Sequence, residues 1–179
     1  MLWAIPLGIA IGLVARGRVD GLSHLGFRWT PLAVGGLLVQ VVLFTAIGDR
    51  LAGDLVPAIY VVSTAAVLVA VLRNWRLTGM PIVALGALSN LAAIVANGGF
   101  MPADAGALAL AGFAGPGDHT NSIDVASPAL RQLTDIYALP AGLPMANVFS
   151  LGDILIGVGV IVVIAAAMRR GRASAPTSD

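Results

Sequence analysis

Ser150-Leu151-Gly152-Asp153 brings a hydroxyl and a carboxylate to one-turn spacing at the start of an apolar run. Serine at the N-cap with an acid three residues on is a variant capping box, Asp standing in for the usual Glu or Gln. The acid also suits the positive end of the helix dipole. The same geometry allows Asp153 to be a buried carboxylate facing the mouth of a helix bundle. Asn97-Gly98-Gly99 offers a different chemistry. Both residue types tolerate left-handed backbone, which makes the tripeptide a helix stop. Its successive N–H groups could also form a small anion nest. His119 stands between Asp118 and Thr120, with Asp124 nearby. Such a histidine could act as a base, or join Ser122 or Ser150 in a nucleophilic triad, although no Gly-x-Ser-x-Gly elbow exists. In a Gly-rich turn a histidine is more often a solvated side chain.

The remaining polar candidates lie inside apolar runs. Gln40, Ser63, Thr64, Ser89 and Asn90 fall near the middle of three of them, and no Asp, Lys, Arg, Glu or His does. Proton and ion pathways usually require ionisable groups at such positions. An amide in hydrocarbon without a partner costs several kcal/mol. Gln40 and Asn90 are therefore expected to meet, or to share Ser63, Thr64 or Ser89 as a partner. The chain has no cysteine and only two histidines, which excludes disulfides and thiolate metal sites and leaves no metal or other cofactor implied.

The elements that must position these residues are set by composition. Of 179 residues, 58% are hydrophobic and 11% charged, with a mean hydropathy of +0.94. Too few charges exist to cover a soluble domain. Five apolar runs stand out: Leu2–Ala15, Pro31–Gly48, Leu55–Leu72, Met80–Asn97 and Leu151–Met168. The fold expected is all-α: a polytopic membrane bundle of about five transmembrane helices in a single domain over residues 1–170. A cytoplasmic tail, 171–179, is expected to be disordered. The first run is short for about 30 Å of hydrocarbon, and an interfacial first segment is the alternative. The long connection 98–149 is expected to be a partly helical outer cap. Short helices are expected over Pro102–Gly112 and from Ser127-Pro128 to Leu133.

Arginine placement orients the bundle. Arg16, Arg18 and Arg28, then Arg73 and Arg76, then Arg169, Arg170 and Arg172 share one side if all five runs cross. The amino terminus is then outside, the carboxyl terminus inside, and the address the plasma membrane. Arg16, Arg18 and Arg28 could hold anionic lipid. A net charge of +1 without a basic stripe argues against nucleic acid.

Three stretches carry a resemblance: Asn97-Gly98-Gly99-Phe100-Met101-Pro102; Leu133-Thr134-Asp135-Ile136 with Leu139-Pro140; and Asn147-Val148-Phe149-Ser150-Leu151-Gly152-Asp153. Together they resemble an uncharacterised family of small bacterial multi-pass membrane proteins, a domain of unknown function. The second stretch departs from the family pattern at Thr134 and at Tyr137-Ala138. The resemblance implies the membrane fold over nearly the whole chain and brings no activity. The function expected is a non-enzymatic membrane component that binds a partner protein or lipid through its outer cap. Two alternatives stay open: a permease subunit for a small solute, or an enzyme working at the outer interface through Asp135, Asp153 or His119.

Overall fold

The structure is a computed structural model that describes residues 3–113, 122–124 and 127–173. Helices dominate it: α1 (Ala4–Val14), α2 (Thr30–Leu43), α3 (Ala46–Ala52), α4 (Val56–Arg73), α5 (Met80–Ala96), α6 (Ala105–Ala111) and α7 (Leu151–Ala173). Proline lies in the first turn of α2, α4 and α5, where its missing N–H costs nothing and its fixed φ suits the helix. Two stretches, Arg50–Arg73 and Leu151–Arg170, are long and apolar enough to cross a membrane. The other three apolar runs form shorter helices of 11, 14 and 17 residues. The second run ends early because Thr45 turns the chain. Its hydroxyl bonds back to the Val42 carbonyl at 2.7 Å and accepts the Gly48 N–H at 3.0 Å.

The long helices lie side by side in the order α2, α4, α5, α7, α1. Facing residues fix their directions. Gly36 meets Val67 and Gln40 meets Thr64, so α2 and α4 are antiparallel. Gly99, just beyond α5, rests on Pro57 at the start of α4, so that pair is antiparallel too. Gly79 and Gly86 face Gly159 and Gly152 in reverse order along α5 and α7. Gly8 meets Ile164 and Gly12 meets Met168, so α1 and α7 run parallel. The contacts between α5 and α7 are made backbone to backbone. A Cβ on Gly79 would come within 2.6 Å of the Gly159 carbonyl oxygen, and one on Gly159 within 2.7 Å of the Val83 nitrogen. Small residues seven apart on both helices allow this approach.

The described residues between 98 and 149 form a cap at one end of the helices. Strand β1 (Met101–Ala103) pairs in parallel with β2 (Ser122–Asp124) and bridges to Asp135. Strands β3 (Tyr137–Leu139) and β4 (Asn147–Phe149) form an antiparallel pair with the Tyr137 and Phe149 rings stacked 5.7 Å apart. Ala103, Ala107, Leu108, Ala111 and Val148 make a small core of their own. The expected first cap helix is α6, with Asp104 as its N-cap: one carboxylate oxygen accepts the Gly106 and Ala107 N–H groups. The second expected helix is corrected. Ser127-Pro128 starts no helix, and only a 3-10 turn, Arg131–Leu133, follows Leu130, which has φ 52°. The reason is a pull on the backbone of Ala129, described below. The short strands were also not anticipated. Helix α7 continues to Ala173, and what was expected of the tail beyond it falls outside the described residues.

Candidate functional site

Three asparagines organise the molecule, each on a helix or directly after one and each tied to a distant segment. The first is Asn90, in the last two turns of α5. Its Nδ2 donates to Asp153 Oδ1 at 2.9 Å, and its Oδ1 accepts from the Ser150 hydroxyl at 2.8 Å. The capping box expected at α7 is present and complete. The Asp153 N–H donates to Ser150 Oγ at 3.0 Å, and the Ser150 N–H donates to Asp153 Oδ2 at 3.1 Å. Ser150 is fully buried. Asp153 is thus engaged on both oxygens and Asn90 on both ends of its amide, a closed network that orders the first turn of α7.

This overturns the expected meeting of Gln40 and Asn90. Antiparallel packing of α5 on α7 sets Asn90 beside the first turn of α7, while Gln40 lies on the outlying α2. Gln40 Nε2 donates instead to Thr64 Oγ1 at 3.2 Å. Ser63 bonds its own helix, donating to the Tyr60 carbonyl at 3.0 Å. The Ser89 hydroxyl is buried without a hydrogen-bond partner among the described residues.

Asn97 is the second. Its Nδ2 donates to the Ala93 carbonyl at 2.8 Å and to the Ala129 carbonyl at 2.9 Å, while its Oδ1 accepts the Ala129 N–H at 2.9 Å. The side-chain amide therefore pairs with both backbone groups of one cap residue, as a neighbouring strand would. That pairing holds Ala129 out of helical conformation. The anion nest read at Asn97-Gly98-Gly99 is corrected, because all three N–H groups donate to carbonyls of α5. Gly99 has φ 91° and lies so close to Pro57 that a Cβ has no room.

Asn74, the residue after α4, repeats the arrangement at the opposite end of the row. Its Nδ2 donates to the Ala70 carbonyl at 2.8 Å and to the Arg28 carbonyl at 2.7 Å, and its Oδ1 accepts the Arg28 N–H at 2.7 Å. It is 4% exposed. Beside the pinned Arg28, Trp29 has φ 63°, a backbone that costs a non-glycine residue about 1–2 kcal/mol. Sequence reasoning missed Asn74. The available signal was its likeness to Asn97: an asparagine directly after a helix, four residues beyond an alanine.

A family model matches residues 24–165, most of the chain. The chain belongs to the family of unknown function DUF5317. No curated protein and no solved structure matches it. The matched span of this DUF5317 member contains all three asparagine clamps and the whole cap.

The other candidate residues are dispersed. Asp135 is buried, and its backbone pairs with the first cap strand: its N–H donates to the Pro102 carbonyl at 3.0 Å, and its carbonyl accepts the Asp104 N–H at 2.9 Å. Across the cap surface, Arg131 pairs with Asp104 at 3.0 Å. The Arg131 guanidinium, helped by the Ala107 N–H, holds the Asp104 carboxyl below its usual range. His119 and the side chains of Ser122 and Asp124 lie outside the described residues. Among the basic residues proposed for lipid, Arg18 is paired with Asp20 at 2.9 Å, which lowers the Asp20 pKa and ties up one of the three charges. Arg28 instead joins Arg73 and Arg76 around a pocket of about 300 Å³ floored by Asn74.

Proposed function

We propose that the protein is a five-pass plasma-membrane component, amino terminus outside and carboxyl terminus in the cytoplasm. It does no chemistry of its own and presents its outer cap to a partner protein or lipid. The observation that carries the membrane reading is the outward face of the helices. Ile5, Ile11, Leu37, Leu38, Val41, Val42, Val62, Leu85 and Leu88 are all exposed. Such a surface is unstable in water over this area and ordinary in lipid. The alternation of helix direction in chain order, from α1 through α2, α4 and α5 to α7, and the gathering of Arg28, Arg73, Arg76 and Arg170 at one end support five crossings. By length alone, α1, α2 and α5 reach only about 16, 21 and 26 Å at about 1.5 Å per residue. Local thinning of the bilayer, with Trp3, Trp29 and Trp75 exposed at helix ends, accommodates the shortfall.

The cap supports the binding role because it is built as a unit and fastened to the bundle. Asn97 holds Ala129, and the Trp3 indole donates to the Pro144 carbonyl at 3.3 Å. Leu110, Leu130, Leu143 and Met145 remain exposed on it. The permease reading loses the Gln40–Asn90 pairing, and the enzyme reading loses Asp153 as a free carboxylate. Gln40 and Asn90 bond to different helices, and the Asp153 carboxylate is consumed by the α7 cap.

The chain has no cysteine, so single cysteines report topology directly. An impermeant maleimide should label position 104 in intact cells and position 73 only after the membrane is opened. Labelling of 73 in intact cells would overturn the orientation. Photo-crosslinkers at Tyr137 and Met145 should capture a discrete partner band or lipid that a crosslinker at Val62 does not. Identical products from all three positions would refute the cap as a docking surface.

A further inference from the structure

We propose that the pocket bounded by Arg28, Arg73, Arg76 and Trp75 is a binding site for the phosphate of an anionic phospholipid. This deepens the membrane reading and rests on it. Three observations converge. First, Arg28, Arg73 and Arg76 line one pocket of about 300 Å³, and none of them has an ion pair among the described residues. Among the described residues the ion pairs are Arg18–Asp20 and Arg131–Asp104, and neither involves them. Three like charges at one pocket repel one another, so the arrangement gains its stabilisation from an anion.

Second, the charges are placed and not merely present. Arg73 and Arg76 flank Asn74 in sequence, but Arg28 comes from a different connection. The buried Asn74 amide fixes the Arg28 backbone through two bonds of 2.7 Å. A loop obeying only the positive-inside tendency has no need of such fixation. Third, the chemistry of the walls matches a lipid headgroup. Guanidinium groups form forked bonds to phosphate oxygens. Trp75 is 60% exposed beside them, as an indole at the headgroup level would be. The residue set differs from that expected from sequence. Arg28 is kept, Arg73 and Arg76 are added, Arg18 is spent on Asp20, and Arg16 does not line the pocket.

The test uses the full chain carrying Trp3→Phe and Trp29→Phe, which leaves Trp75 as the reporter among three tryptophans. The protein is placed in phosphatidylcholine nanodiscs, and acyl-brominated phosphatidylglycerol is added in increasing mole fraction. Quenching of Trp75 should half-saturate at a mole fraction about 25- to 125-fold lower than with brominated phosphatidylcholine, on the scale of two to three arginines at about fivefold each. Arg73→Gln with Arg76→Gln should weaken this preference about thirtyfold by the same scale. Arg16→Gln with Arg169→Gln removes as much charge from the same end but outside the pocket. In a zwitterionic background it should cost less than about threefold. Asn74→Ala, which changes no charge, should also weaken binding by releasing Arg28. Equal losses from the two arginine pairs would show diffuse attraction and sink the site. Reversal of quenching by millimolar inorganic phosphate would make the ligand a soluble phosphate and overturn the lipid assignment. A chain that needs detergent yet shows no lipid preference loses the site alone. A chain that stays dispersed without detergent loses the membrane reading with it.

Discussion

Gly152→Ala and Gly157→Ala place the same methyl group on the same helix, five residues apart, and should move stability in opposite directions. A Cβ at Gly152 would overlap the Asn90 amide oxygen and come within 2.7 Å of the Gly86 carbonyl oxygen. One of these atoms is backbone, so the helices must separate or Asn90 must leave. Overpacking of this kind costs about 1–3 kcal/mol. Expelling Asn90 strands the Ser150 hydroxyl and one Asp153 oxygen, adding about 1–3 kcal/mol. Replacing glycine in a helix returns about 1 kcal/mol. The net for Gly152→Ala is a loss of about 1–5 kcal/mol. At Gly157 the added atom lies 3.9 Å from the Ala4 Cβ, an ordinary contact. There the propensity gain stands nearly alone, and the variant should be neutral or up to about 1 kcal/mol more stable. Equilibrium unfolding by SDS titration in mixed micelles, followed by circular dichroism, measures both variants in one assay. Equal effects, or a stable Gly152→Ala, would refute the close approach of α5 and α7 on which the Asn90 network depends.

Asn97→Ala should free Ala129 and raise hydrogen exchange over residues 127–135 by tenfold or more, since two backbone groups lose their partner at about 1–3 kcal/mol each, while exchange in α4 stays unchanged. Cap stability should also depend on pH through Asp104. Its folded pKa is lowered by Arg131, so its contribution is fully present above the unfolded carboxylate value and is lost as pH falls through the folded one. Protease resistance of the cap should therefore drop below about pH 4; Asp104→Asn should abolish that drop, and a wild-type cap equally resistant at pH 6 and pH 3 would contradict the assignment. Gln40→Leu should cost only about 0.6 kcal/mol and not above about 1.7 in the same SDS titration, because Thr64 is a single partner and the unfolded chain in a membrane finds others.

How far the sequence could be read depended on the range of each interaction. The capping box at Ser150 and Asp153 was legible because it is local: three residues of spacing specify both bonds. The stop at Asn97-Gly98-Gly99 and helix α6 were legible for the same reason. The partner of Asn90 was not, because depth along a run says nothing about how far one helix is shifted against the next. The first turn of α7 starts alongside Asn90, so the amide meets the Ser150 cap and not a midplane neighbour. Ser127-Pro128 misled in the opposite sense. Its local chemistry favours a helix start, but the two bonds from Asn97 to Ala129 tie the chain into a turn ahead of left-handed Leu130. Asn74 was missed because its role needs Arg28, 46 residues earlier.

The three asparagines also explain how so thin an assembly of helices can hold a defined shape. The main contacts of the long helices run in a row, and small buried clusters such as Leu43, Tyr60 and Ile94, or Val71, Val83 and Val163, take the place of one central core. In lipid there is no hydrophobic drive between helices to supply one, and packing falls to small residues and polar bonds. The glycine contacts bring α5 and α7 together but are smooth and tolerate sliding along the helix axes. A side-chain amide does not, because it must align a donor and an acceptor with one particular residue. Asn90 fixes α7 against α5, Asn97 fixes the cap against the carboxyl-terminal end of α5, and Asn74 fixes the connection before α2 against the carboxyl-terminal end of α4. The register of the row is thus set near its ends; α2, at the edge of the row, packs chiefly on α4, through Gly36, the Gln40–Thr64 bond and buried Leu43. By this argument α2 is the helix whose position a bound lipid or partner could change at least cost. Arg28, two residues before it, is where a phosphate bound between Arg73 and Arg76 would act on that position.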